Sequence, residues 1–133
     1  MKQTCRILIS AALLASCATA YQPTYYYNEI VIQNTASVLL REVSLSSGEG
    51  GRSFSCSNIA PKGICSDRFP RRQYMNTPIQ VSWALGNSAV ASTEILLEWP
   101  GRFSSGSSFP LRGIVEVGPQ GSISAYFEQD VIK

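Results

Sequence analysis

The chain has 133 residues, a net charge of +2, four cysteines and no histidine. With the first 17 residues set aside 116 remain, enough for one domain with its own core and too few for two. In that remainder nine basic residues balance nine acidic ones, which excludes the electrostatic footprint of a nucleic-acid binder and a polybasic segment for anionic lipid.

Lys2 and Arg6 open the chain, Ile7–Ala15 is an apolar run broken only by Ser10, and Leu14-Ala15-Ser16 leads into Cys17. A basic start, a short apolar stretch and small residues at a cut are the marks of an export signal. Nine residues span about 14 Å as a helix, roughly half a bilayer's hydrocarbon core, so the run is too short to cross a membrane. The order Leu-Ala-Ser-Cys resembles the lipobox of bacterial lipoproteins. That resemblance covers residues 1–17 alone. It implies that Cys17 receives a diacylglycerol, becomes the new N-terminus and holds the protein on a membrane. Ala18 after that cysteine resembles the outer-membrane-sorted form, which implies an anchor facing the periplasm. The alternative is cleavage after Ala18-Thr19-Ala20, which releases a soluble periplasmic or secreted protein.

Residues 18–27 carry no periodic pattern and end in Tyr25-Tyr26-Tyr27, reading as a tether whose last tyrosines can equally begin the first strand. From Asn28 to Lys133 the chain reads as one domain with a period of two. Glu29–Gln33 is a short strand. Leu39–Leu45 follows, with Leu39, Val43 and Leu45 on one face. Ser46–Gly51 is a turn cluster and Arg52–Cys56 a third strand candidate. Ala60-Pro61-Lys62-Gly63 has Pro at i+1 and Gly at i+3, a type I turn signature.

Ile79–Leu85 is the clearest strand, with Ile79, Val81, Trp83 and Leu85 alternating against Gln80, Ser82 and Ala84. Gly86-Asn87 reads as a two-residue hairpin connection. Val90–Trp99 continues the alternation. A serine-rich loop precedes a last hairpin, Leu111–Val117 and Ser122–Phe127, around Gly118-Pro119-Gln120-Gly121. No helical period runs through any long window. Seven or eight short strands with turns between them predict an all-β, immunoglobulin-like antiparallel sandwich, with a small β-barrel as the alternative.

Cys56 and Cys65 are an even pair in an exported chain and predict one disulfide around a hairpin-like loop. Nine positions apart, they are too close for the inter-sheet bond of antibody domains. Without histidine there is no Ser–His or Cys–His nucleophile, and two cysteines are too few for a structural zinc site. The reading is therefore non-catalytic, with no metal and no cofactor.

Two stretches are candidate binding surfaces. Lys62, Arg68, Arg71 and Arg72 surround the disulfide and could grip a carboxylate or phosphate, or could simply be a solvated edge. Phe103 and Phe109 flank a flexible serine-rich loop and could contact a partner, or fold back on the core. Trp83 and Trp99 fall on inward positions and read as core. The expected function is a protein-binding or assembly module of the cell envelope, its partners a membrane through Cys17 and another envelope protein. The alternative is an inhibitor of an exported hydrolase or a polysaccharide-binding module.

Overall fold

The computed structural model describes residues 24–47, 53–98 and 110–129. Cys17, expected from sequence to carry the lipid, Trp99 and the phenylalanines Phe103 and Phe109 lie outside them. Eight strands form two sheets: β1 (Tyr26–Asn34), β2 (Leu40–Ser47), β3 (Ser53–Ile59), β4 (Ile64–Gln73), β5 (Ile79–Leu85), β6 (Ala91–Ile95), β7 (Leu111–Val117) and β8 (Ile123–Gln129). The first sheet has the order β4-β1-β7-β8 and the second β3-β2-β5-β6. They pack face to face as the sandwich the alternation predicts, and among the described residues no barrel closes. Among the described residues no helix is long and apolar enough to cross a membrane.

The core follows from side chains that alternate in and out of each pleat. Ile30 and Ile32 of β1, Leu40 and Val43 of β2 and Val81 and Trp83 of β5 are all buried between the sheets. At the end where the chain enters, the tyrosines read as tether belong to this core instead. Tyr25 and Tyr27 are 2% and 3% exposed. The Tyr27 ring meets Phe69, Tyr74 and Phe127 edge-on at 5.3, 5.9 and 5.7 Å. Such pairs contribute about 0.5–1.5 kcal/mol each beyond burial, which draws these residues into the fold rather than the linker.

Three features depart from the sequence reading. Leu40, not Leu39, faces the core, because Glu42 adopts φ 49° and shifts the register between Arg41 and Ser44. That bulge turns every residue before it to the opposite face. The β5–β6 connection is residues 86–90 rather than two residues, and β6 ends at Ile95. Finally, β1 pairs with β7 in parallel, Ile30 beside Gly113 and Gln33 beside Glu116.

Cys56 and Cys65 stand at disulfide distance, Sγ–Sγ 1.90 Å and Cα–Cα 6.3 Å. They do not flank a hairpin. Cys56 is on β3, which pairs with β2, and Cys65 is on β4, which pairs with β1. The pair joins the edge strands of the two sheets where the chain turns the corner between them. Antibody-type bonds cross the middle of a sandwich; this one spans its side, where a short separation suffices.

Candidate functional site: the four-turn end

The strand directions bring the connections 35–39, 60–63, 86–90 and 118–122 to one end of the sandwich, opposite the end where the chain enters at Thr24. Asn34 braces this end and is fully buried. Its Nδ2 donates to the carbonyls of Val38 and Ile59, each at 2.9 Å, and its Oδ1 accepts from the Ala36 amide at 2.9 Å. Only a carboxamide supplies two donors and an acceptor from one short side chain. Its backbone adds two bonds to the β3–β4 turn, donating to the Gly63 carbonyl at 3.0 Å and accepting from the Lys62 amide at 2.8 Å.

Arg41 secures the neighbouring loop. Its Nε donates to the Gly86 carbonyl at 2.6 Å and its Nη2 to the Ser88 carbonyl at 3.0 Å, while Nη1 lies 3.1 Å from Glu42. Gly86 itself sits at φ 60°, a left-handed position that favours glycine, and donates to the Leu39 carbonyl at 2.8 Å. On these braced loops Val38, Leu39 and Val90 stand 43%, 38% and 54% exposed. These three exposed aliphatic side chains therefore belong to connections at the four-turn end.

Both Xaa-Pro-Xaa-Gly turns place their third residue in the left-handed region, Lys62 at φ 68° and Gln120 at φ 61°. This is type II geometry, in which i+2 has positive φ, rather than the type I expected.

The four basic residues do not assemble into one cluster. Lys62 is in a turn of the four-turn end, whereas Arg71 and Arg72 lie at the other end of β4, about 30 Å along the strand. Arg68 reaches Glu29 at 3.5 Å, and Arg72 lies over the Phe69 ring at 5.3 Å.

The two outer faces differ sharply. On the β4-β1-β7-β8 sheet, Arg68, Glu29, Arg112 and Glu128 form a row across all four strands, with Arg112 3.9 Å from Glu29 and 3.5 Å from Glu128. Glu29 is 6% exposed, a carboxylate buried between the two arginines that flank it. Next along that face, the Tyr126 hydroxyl donates to Glu116 Oε2 at 2.6 Å. That bond, then burial and the charges of Glu116 and Glu128, push the phenol up to about 12. The other sheet bears a row of four serines in register, Ser55, Ser44, Ser82 and Ser92, with the Ser44 and Ser82 hydroxyls 2.8 Å apart.

Sequence reasoning missed Asn34, Arg41, Val38, Leu39 and Val90. Val38-Leu39 after a polar Thr35-Ala36-Ser37 was a visible signal, an apolar pair that cannot both face one side of a strand. The bonds of Asn34 and Arg41 go to carbonyls up to 47 positions away and leave no local pattern.

No protein-family model matches the chain, and no curated protein matches it. Among solved structures it is similar to the NMR structure of a protein from Eubacterium rectale, with 9% identity and a TM-score of 0.46 over 87% of this chain and 99% of that one. Residue roles therefore rest on the geometry above.

Proposed function

We propose that this chain is a non-catalytic binding module of the cell envelope, anchored through Cys17, that presents its four-turn end to another envelope protein. The observation that carries this reading is the exposed trio Val38, Leu39 and Val90 on loops held by Asn34 and Arg41. Loops already fixed in the free protein lose little further entropy on docking, which leaves more of the contact energy as affinity. The geometry also suits an anchored protein. A lipid on Cys17 would sit before β1, and β1 runs nine residues, about 30 Å, toward the four-turn end. The trio then lies at the end of β1 opposite the one that Cys17 precedes in the chain.

A photo-crosslinker at position 38, followed by mass spectrometry, should capture one dominant protein in intact cells. Val38→Asp combined with Val90→Asp should lower its recovery at least about tenfold, as loss of central apolar anchors does. Met75→Asp, an exposed apolar position outside this end, should leave recovery unchanged. Equal recovery from all three proteins contradicts the docking end. Cys17→Ser should move the product from the detergent to the aqueous phase, and a wild-type protein already in the aqueous phase contradicts the anchor.

A further inference from the structure

At the same end, on the side of β7 and β8, an open groove of about 140 Å³ lies beside the β7–β8 turn. This is below the roughly 300–1,000 Å³ of drug-sized ligand sites, the scale of one ring with part of it left in solvent. Its polar lining is the Glu116 carboxylate with the hydroxyls of Thr35, Ser122 and Ser124. Pro119 and Ile123 supply an apolar wall.

The side chains are positioned, not merely adjacent. Glu116 and Ser124 are directly opposed across the β7–β8 ladder. The Tyr126 hydroxyl holds Glu116 Oε2 at 2.6 Å, which orients the carboxylate. Thr35 Oγ1 donates to the Val117 carbonyl at 3.2 Å, and Ser122 Oγ to the Pro119 carbonyl at 3.2 Å, so the oxygens of both hydroxyls remain able to accept. A Cβ on Gly118 would lie 2.7 Å from Ser122 Oγ and 3.2 Å from Thr35 Oγ1, so the missing side chain is what lets the two hydroxyls converge.

The chemistry narrows the ligand. Among the described residues no basic side chain lines the groove and one carboxylate does, so anions are repelled. A single carboxylate with three hydroxyls falls short of the six to eight oxygens that calcium takes. A pyranose ring fits both walls, offering hydroxyl protons to an acceptor-only carboxylate, hydroxyl pairs to serine and threonine, and a C–H face to Pro119 and Ile123. We propose that this groove binds one neutral sugar unit, held by Glu116, Thr35, Ser122 and Ser124. The proposal does not depend on the protein-docking trio, although Thr35 shares the 35–39 connection with Val38 and Leu39.

Among the described residues no aromatic ring lines the groove, so the affinity per unit is low, with Kd about 1–10 mM. The test is a nuclear magnetic resonance titration of the isotopically labelled protein with methyl glucoside, methyl galactoside, methyl mannoside, glucuronate and ethanolamine. At least one neutral glycoside should move the amide signals of Thr35, Gly118, Ser122 and Ser124. Glucuronate should bind at least about tenfold more weakly, because its carboxylate meets Glu116. Glu116→Gln should weaken the glycoside about tenfold and Ser124→Ala about threefold, as loss of a charged and of a neutral hydrogen bond does. Ser124 is exposed, so that variant decides the matter even if Glu116→Gln fails to fold. The proposal is overturned if no neutral glycoside moves those signals by about 100 mM, if ethanolamine alone moves them, or if the shifts survive both substitutions undiminished.

Discussion

The two long sides of the sandwich are closed by different means. On the β3–β4 side the closure is covalent: the chain turns from one sheet to the other and Cys56 meets Cys65. On the β6–β8 side it is a plug. After β6 the chain leaves its sheet, Leu97 enters the core at 1% exposure, and the Glu98 amide donates to the Ala125 carbonyl at 3.3 Å. Gly113 makes room for the plug, since a Cβ there would lie 3.2 Å from both Leu97 methyl carbons. The Tyr74 hydroxyl fastens it from below, donating to the Leu97 carbonyl at 2.8 Å. In the chain-entropy account the covalent closure acts mainly on the unfolded chain, by removing conformations it could otherwise visit. The plug acts on the folded chain, through burial and close packing. The two sides therefore answer to different perturbations.

The largest effect is expected from breaking the plug. Leu97→Ala leaves a cavity against Gly113 and should cost about 3–4 kcal/mol, read as a lower urea midpoint at unchanged slope. Replacing both Cys56 and Cys65 with alanine should cost about 2.5–3 kcal/mol, the entropy of closing so short a loop. Reductant should lower the wild-type midpoint by a similar amount and leave the double variant where it is; a plug variant should keep its sensitivity to reductant. Tyr74→Phe sharpens the contrast, removing one buried bond to the plug at about 1–2 kcal/mol while the covalent side is untouched.

The smallest effect is a pH response confined to the plug side. Tyr126 on β8 keeps its proton to about 12 because it donates to Glu116. An unfolded tyrosine loses its proton near 10, so the contribution of this bond is complete below pH 10 and is lost as pH rises through 12. Half-exposed as Tyr126 is, solvent screening keeps the effect on stability small. Glu116→Gln should return the phenol toward 10 in an ultraviolet or ring-carbon titration. No change in that titration would show that the carboxylate is not the cause.

Much of this scaffold is readable where one face of a strand is dry and the other wet. Ile79–Leu85 alternates strictly in sequence and occupies those bounds as β5. The pairing of Cys56 with Cys65 was also legible, but not its place, because sequence separation does not say whether a chain folds back on its own sheet or crosses to the other. Leu39 was misplaced by one residue because the bulge at Glu42 is a backbone event with no side-chain signature. The Val90–Trp99 alternation hid the departure of Leu97, since an inward residue looks the same in sequence whether it belongs to a strand or fills a gap beyond one. Of the two candidate surfaces, the basic residues are divided between the turn at Lys62 and the length of β4, and the aromatic loop lies outside the described residues. The trio and the groove arise from turns that meet only after both sheets form.

The parallel pairing of β1 with β7 has a consequence for biogenesis. One layer is made of β1, β4, β7 and β8, so an emerging chain can complete the layer of β2, β3, β5 and β6 while β1 has only β4 beside it. Until the C-terminal quarter arrives, β1 offers a bare row of amides and carbonyls to any neighbouring chain. A product truncated after β6 should thus accumulate as aggregate, and assembly of the whole should wait for β7 and β8.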